Sequence, residues 1–167
     1  MPISVTEFDN RQGLVLWALR LLCGDPGWAC LVRCECARRL RGSDVAAVVA
    51  LRGLASILVR RGRRPGAIAA PAADTLAAAE RALLALIAAL QWGEDTHAAA
   101  LAPWLVEAGA VETLLGHAGR LARALRDAGL VLPPPAVVGA PSHPAAPSFV
   151  AIAGTGGRAV ATRRPRR

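Results

Sequence analysis

Apolar residues recur at intervals of three and four along most of the first 131 residues, which is the spacing of one face of an α-helix. Capping residues and glycines divide this pattern into successive helical segments. The first segment runs from about Asp9 to Cys23. The second opens with Asp25 as N-cap and Pro26 at its first position, and the third is capped by Ser43 and ends in the arginine-rich stretch RRGRRPG.

Three further segments complete the helical pattern. Residues 74–75 (Asp-Thr) open the fourth, and residues 95–96 (Asp-Thr) open the fifth, in which Pro103 is expected to kink or interrupt the helix. The sixth, about residues 110–128, is followed by Gly129 in the position of a C-terminal cap. Its apolar face consists of Leu114, Leu115, Ala118, Leu121, Ala122 and Leu125.

These segments predict an all-α fold, a single compact bundle of five or six helices over residues 8–131. From residue 132 the helical pattern stops, and seven of the twelve prolines lie between Pro133 and Pro165, among alanine, glycine, serine and arginine. Such a composition cannot bury a packed face, so we predict a disordered basic tail over residues 132–167.

The composition agrees with helices and argues against a membrane protein. Alanine and leucine dominate a chain that is 54% apolar, and tyrosine is absent. The longest apolar candidate, residues 45–59, is shorter than a bilayer span and contains Arg52, and the first ten residues lack the apolar core of a secretory signal. We therefore expect a cytoplasmic protein with no membrane partner, whose cysteines are thiols.

The net charge of +8 comes from arginine alone, because the chain has no lysine. Residues 1–66 carry +6, residues 67–132 carry −3 and residues 133–167 carry +5. Two clusters are candidate phosphate or nucleic-acid contacts: Arg60, Arg61, Arg63, Arg64, Arg163, Arg164, Arg166 and Arg167. The alternative is that the first cluster complements the dipole of its helix and the second is a solvated tail, with some of the arginine reflecting genomic bias.

Three cysteines stand within seven positions, at Cys30, Cys34 and Cys36. On a helix the first two share a face and Cys36 points about 160° from Cys34, so the three thiols cannot converge on one tetrahedral metal. We predict no metal and no cofactor, with cysteine acting as a small apolar residue in a buried row of Trp28, Val32, Cys36 and Leu40. A redox role for these thiols or for Cys23 stays open.

A glycine pattern in the tail, Gly154-x-Gly156-x-x-Ala159, has the local form of a dinucleotide-binding fingerprint. Only eight residues follow Ala159, too few for the helix and second strand that such a site needs. We interpret the pattern as a glycine turn.

No histidine, carboxylate and nucleophile come together in the pattern, so we predict no catalytic residues and no enzyme. His117 is interpreted as a solvated surface residue beside Arg120, and Glu80 as paired with Arg81. The four tryptophans, Trp17, Trp28, Trp92 and Trp104, are interpreted as core fillers, with partner anchoring as the alternative for Trp92 and Trp104.

The leading hypothesis is a protein-interaction or regulatory protein that binds another protein through a helix face. The alternative is weak, sequence-independent binding of nucleic acid by the arginine clusters.

Two stretches, AIAAPAADTLAAAERALLALIAAL (67–90) and LLGHAGRLARALRDAGLVLP (114–133), resemble a family of small all-helical bacterial proteins of unknown function. The resemblance covers about residues 10–133. It implies an all-helical domain without recognised catalytic residues, and it supplies no function.

Overall fold

The computed structural model describes residues 10–64 and 66–134, and these residues form six α-helices. The helices are α1 (Asn10–Gly24), α2 (Ala29–Arg39), α3 (Asp44–Arg61), α4 (Ala78–Trp92), α5 (Asp95–Leu105) and α6 (Val111–Asp127). Short 3-10 turns, Pro26–Trp28 and Ala108–Ala110, lead into α2 and α6. The predicted all-α bundle is confirmed. Asp9, the glycine pattern of the tail and the four tail arginines lie outside the described residues.

Helix α3 forms the centre of the bundle, packing against α1, α2 and α6, while α4 packs against α5 and α6. Leucine and alanine faces meet between these helices, and burying each leucine side chain contributes roughly 1.5–3 kcal/mol. The predicted apolar face of α6 is confirmed, since five of its six members are buried and Leu115 is partly buried. No helix in the described part of the chain combines the length and apolar character needed to cross a bilayer.

Two of the predicted caps are confirmed by hydrogen bonds. Asp25 caps the turn before α2, with its Oδ1 accepting from the Gly27 N–H at 2.8 Å. Gly129 has a left-handed φ of 74°, and the N–H groups of Gly129 and Leu130 donate back to the carbonyls of Arg126 and Leu125. This pair of bonds ends α6 in a Schellman motif. Ser43 occupies the N-cap position of α3, but its hydroxyl makes no capping bond.

The start of α4 differs from the prediction, because the helix begins at Ala78 and not at residues 74–75. The carbonyl of Thr75 accepts a hydrogen bond from the side chain of Arg20 at 2.9 Å, and so does the carbonyl of Ala73 at 2.6 Å. Carbonyls held in this way are not accepting bonds from a first helical turn. Residues 67–77 therefore stay irregular.

The described bundle includes Leu132, one residue beyond the predicted boundary. Its side chain is buried, its N–H donates to Gln91 Oε1 at 2.7 Å, and its carbonyl accepts from Trp92 Nε1 at 3.1 Å. Gln91 is itself buried and donates to the carbonyl of Leu130 at 3.0 Å. These bonds attach the segment that follows α6 to the end of α4.

Candidate functional site

Three of the four tryptophans lie on the surface, so their interpretation as core fillers is wrong. The exposed fractions are 49% for Trp28, 53% for Trp92 and 73% for Trp104, while Trp17 is partly buried against the core. The indole of Trp92 is held by the carbonyl of Leu132. Trp104 is the most exposed large apolar side chain among the described residues, which makes its surroundings the first candidate for a binding site.

Trp104 lies in the last turn of α5, directly after Pro103. The helix is not interrupted at Pro103, which lies inside it, and α5 continues to Leu105. Leu105 is buried and Trp104 faces outward from the same final turn.

Beside Trp104 lies a groove of about 530 Å³, which we call the Trp104 groove. Its apolar walls come from two helices, the first turns of α4 (Ala77, Ala78, Ala79 and Ala82) and the last turns of α5 (Leu101, Trp104 and Leu105). The turn that follows α3 forms the third wall with Arg64, Gly66 and Ala67. The groove therefore has an aliphatic floor, one exposed indole and one guanidinium at its rim.

The arginines at the end of α3 are all exposed, but two of them serve the junction between α3 and α5. Gly62 and Val106 form an isolated antiparallel bridge. Around it, Arg61 Nη1 donates to Glu107 Oε2 at 3.1 Å, and Arg63 Nε donates to the carbonyl of Val106 at 3.1 Å. These side chains join the two helix ends.

The other two arginines of this cluster make no such bonds. Among the described residues, the side chains of Arg60 and Arg64 have no hydrogen-bond or ion-pair partner. Arg60 lines a neighbouring groove with Cys23 and Val59. Arg64 lines the Trp104 groove, and together with Arg63 it also lines a hollow beside Pro103 and Trp104. The four predicted contacts thus divide into two junction residues and two unpaired cations.

A buried ion pair fixes the irregular segment that forms part of the groove. Arg20 of α1 and Glu80 of α4 are 4% and 0% exposed, and they are joined by two bonds, from Nε to Oε1 at 2.7 Å and from Nη2 to Oε2 at 2.9 Å. Glu80 also accepts from the N–H groups of Ala69 at 3.1 Å and Ala77 at 2.8 Å. The pair therefore bonds to four backbone groups between residues 69 and 77.

Ionisation of this pair is stabilised by its hydrogen bonds. Burial opposes the charged form of Glu80, but the bonds from Arg20, Ala77 and Ala69 outweigh it and lower the pKa of the carboxyl. The hydrogen bond to Glu80 likewise raises the pKa of Arg20. The pairing of Glu80 with Arg81 predicted from sequence is wrong, since Arg81 donates to the carbonyl of Leu76. A lone arginine in the apolar run WALRLLCG was the available signal.

The cysteines diverge as the helical geometry predicts. Cys30 and Cys34 are exposed on one face of α2, while Cys36 is buried. Burial raises the pKa of the Cys36 thiol to about 11, and it does the same for the partly buried Cys23. The predicted buried row holds for Val32, Cys36 and Leu40, and it fails at the exposed Trp28. Across the described ranges, no group of three His, Cys, Asp or Glu side chains could hold a metal ion.

His117 is not the solvated residue that the sequence suggested. Its ring packs on the backbone of α3 at Gly53, and its Nδ1 atom is buried without a hydrogen-bond partner among the described residues. Burial, aided by the charge of Arg120, lowers the pKa of His117. The glycine within the long helix α3 was the signal in the sequence, because glycine there weakens a helix unless packing requires it.

Comparison with protein-family models, with curated proteins and with solved structures finds no match to this chain. The resemblance to the small helical bacterial family stays a prediction.

Proposed function

We propose that this is a non-enzymatic interaction protein that binds a partner protein through the helix surface around Trp104. The observation that carries the proposal is the exposure of Trp104 beside an apolar groove. The Trp104 side chain is 73% exposed, and contact of such a large indole surface with water is unfavourable in a monomer. Tryptophan is enriched among the residues that contribute most of the binding energy at protein interfaces.

The rest of the groove supports the same proposal. Its floor is formed by alanine methyl groups and by leucine side chains from two helices, a surface that another helix or an extended segment can cover. A buried ion pair holds the adjoining segment in place, so a partner meets a wall that is already ordered. The described residues that line the groove include no acid–base pair and no metal-ligand group, so they favour binding over catalysis.

Nucleic-acid binding is the second candidate, and one observation favours it. Arg63 and Arg64 lie beside the exposed ring of Trp104, and cations combined with an aromatic platform are the elements of single-strand recognition. A single aromatic ring over an aliphatic floor offers stacking to one base only. We therefore place this candidate second.

Photo-crosslinking in cells of the source organism tests the proposal. Trp104 is replaced by p-benzoylphenylalanine, and the same replacement at Trp28, an exposed tryptophan on another part of the bundle, is the matched control. We expect a discrete crosslinked protein at position 104 that is missing from the control at position 28. Nuclease treatment then distinguishes crosslinked nucleic acid from crosslinked protein, and the crosslinked proteins are identified by mass spectrometry.

The outcomes separate the two candidates. Crosslinks that disappear with nuclease would replace the proposal with nucleic-acid binding. Equal products at both positions, or none at position 104, would contradict a role of the Trp104 surface in partner binding.

A further inference from the structure

We infer that the Trp104 groove takes a particular chemical class of partner, a short segment that carries large aliphatic side chains together with carboxylates. This inference rests on the proposed function and specifies the ligand of the same site. Its two parts, the aliphatic side chains and the acidic groups, follow from different features of the groove.

The aliphatic part follows from the walls of the groove. Helices α4 and α5 contribute alanine and leucine, with Trp104 standing at the edge. A volume of about 530 Å³ is enough to admit more than one side chain of a bound segment. The usual occupant of an apolar groove between two helices is the apolar face of a third element, whose anchors lie at positions i, i+3, i+4 and i+7.

The acidic part follows from the charges around the groove. Arg64 lines it, Arg63 lies beside it near Trp104, and the described residues that line the two hollows include no aspartate or glutamate. Arg64 forms no ion pair with any described residue, so its charge is available to a ligand.

An acidic apolar peptide satisfies both parts, whereas a nucleic acid satisfies one. Phosphates would meet the arginines, but the sugar and base edges would have to cover alanine and leucine side chains with no polar partner. A basic peptide would bring its charge against Arg63 and Arg64. The observations therefore favour a peptide with carboxylates over either alternative.

Selection from a random library of displayed 15-residue peptides tests the inference on the full chain. The library is enriched on the unaltered protein after removal of peptides that bind Trp104→Ala, a substitution at an exposed site that leaves the core intact. We expect enriched peptides to combine Leu, Ile, Phe or Met at helical spacing with Asp and Glu. Synthetic versions are measured by fluorescence anisotropy at 0.15 M salt.

Two matched variants resolve the contributions. Trp104→Ala should weaken the selected peptides at least about tenfold, as expected for a central aromatic anchor. Arg64→Gln should weaken them about threefold or more and reduce the salt dependence, in keeping with an exposed charge pair. Arg126→Gln removes the same charge from an exposed site on α6, away from the groove, and should leave binding unchanged.

Each remaining outcome counts against the inference. Enrichment of basic or uncharged peptides, or equal effects of Arg64→Gln and Arg126→Gln, would reject the acidic partner while the crosslinking result at position 104 could still stand. Failure to enrich any peptide dependent on Trp104 would reject the groove as a peptide site. Trp104-dependent binding of a single-stranded 15-mer oligonucleotide, tighter than that of every selected peptide, would assign the groove to nucleic acid instead.

Discussion

The ring of His117 on α6 occupies the space that a β-carbon on Gly53 of α3 would need. The absence of a side chain at Gly53 thus allows the two helices to meet around the imidazole. Because Gly53 lies inside a helix of 18 residues, the contact compensates for the poor helix propensity of glycine.

Gly53→Ala is expected to destabilise the bundle by about 1–3 kcal/mol, because the new methyl group forces the ring of His117 out of its place. Urea unfolding followed by circular dichroism measures the change. Combining Gly53→Ala with His117→Ala should recover part of the loss, which identifies the ring as the source of the strain. The control is Gly116→Ala, at a helical glycine with open space around it, where we expect a gain of about 0.5–1 kcal/mol.

Acidification is expected to weaken the fold through His117. Its pKa is lowered in the folded protein, so the unfolded chain binds a proton more readily in the range below about pH 6.5. The stability contributed by the neutral ring is complete above that pH and is lost as the pH falls through the folded pKa. Urea midpoints at pH 7.5 and 5.5 should differ less in His117→Gln than in the unaltered protein.

Breaking the Arg20–Glu80 pair should have the largest effect of any single polar substitution. Glu80→Gln leaves the guanidinium of Arg20 buried without its counter-charge, and we expect a loss of about 3–5 kcal/mol by urea unfolding. The double variant Arg20→Met, Glu80→Leu removes both charges, but the carbonyls of Ala73 and Thr75 lose their donor and the N–H groups of Ala69 and Ala77 lose their acceptor. We therefore expect it to be at least as unstable as Glu80→Gln. Glu35→Gln is the control, since its pairs with Arg38 and Arg39 are partly exposed, and a clearly smaller loss is expected.

The thiols should react with Ellman's reagent in two phases. Cys30 and Cys34 are exposed and belong to the fast phase, whereas burial raises the pKa of Cys36 and Cys23 to about 11 and places them in the slow phase. Cys30→Ser with Cys34→Ser should remove the fast phase and leave the circular dichroism spectrum unchanged. A fast phase that survives this pair of substitutions would show that the buried thiols are accessible.

The arginines at the end of α3 are expected to separate into two functional pairs. Arg61→Gln with Arg63→Gln should cost a little stability, because it removes side-chain bonds of the α3–α5 junction. Arg60→Gln with Arg64→Gln should leave stability nearly unchanged, because those side chains bond to no other residue in the described part of the chain. The affinity of each double variant for a generic nucleic-acid duplex is then measured at two salt concentrations. Tight binding at physiological salt that is lost only in the second pair would support the nucleic-acid hypothesis.

The positions of the helices could be predicted from the sequence because local signals determine them. Asp25 and Gly129 act through their immediate neighbours, and the apolar face of α6 follows from spacing alone. The start of α4 could not be predicted from the sequence, because it depends on the pairing of Arg20 with Glu80. These residues are 60 positions apart, and no local rule pairs them. The exposure of Trp104 was equally hidden, because a tryptophan near a helix end suits a core or a surface until the neighbouring helices are placed.

The clamp formed by Arg20 has a consequence for the speed and strength of any association at the Trp104 groove. Ordering a loop on binding costs conformational entropy, and here the segment over residues 69–77 is already held by four bonds from the interior side chains of Arg20 and Glu80. The backbone of this segment therefore adds little to the conformational entropy lost when a ligand binds. A substitution of Arg20 in α1 leaves every groove residue unchanged. It should act chiefly on the residence time of a bound ligand.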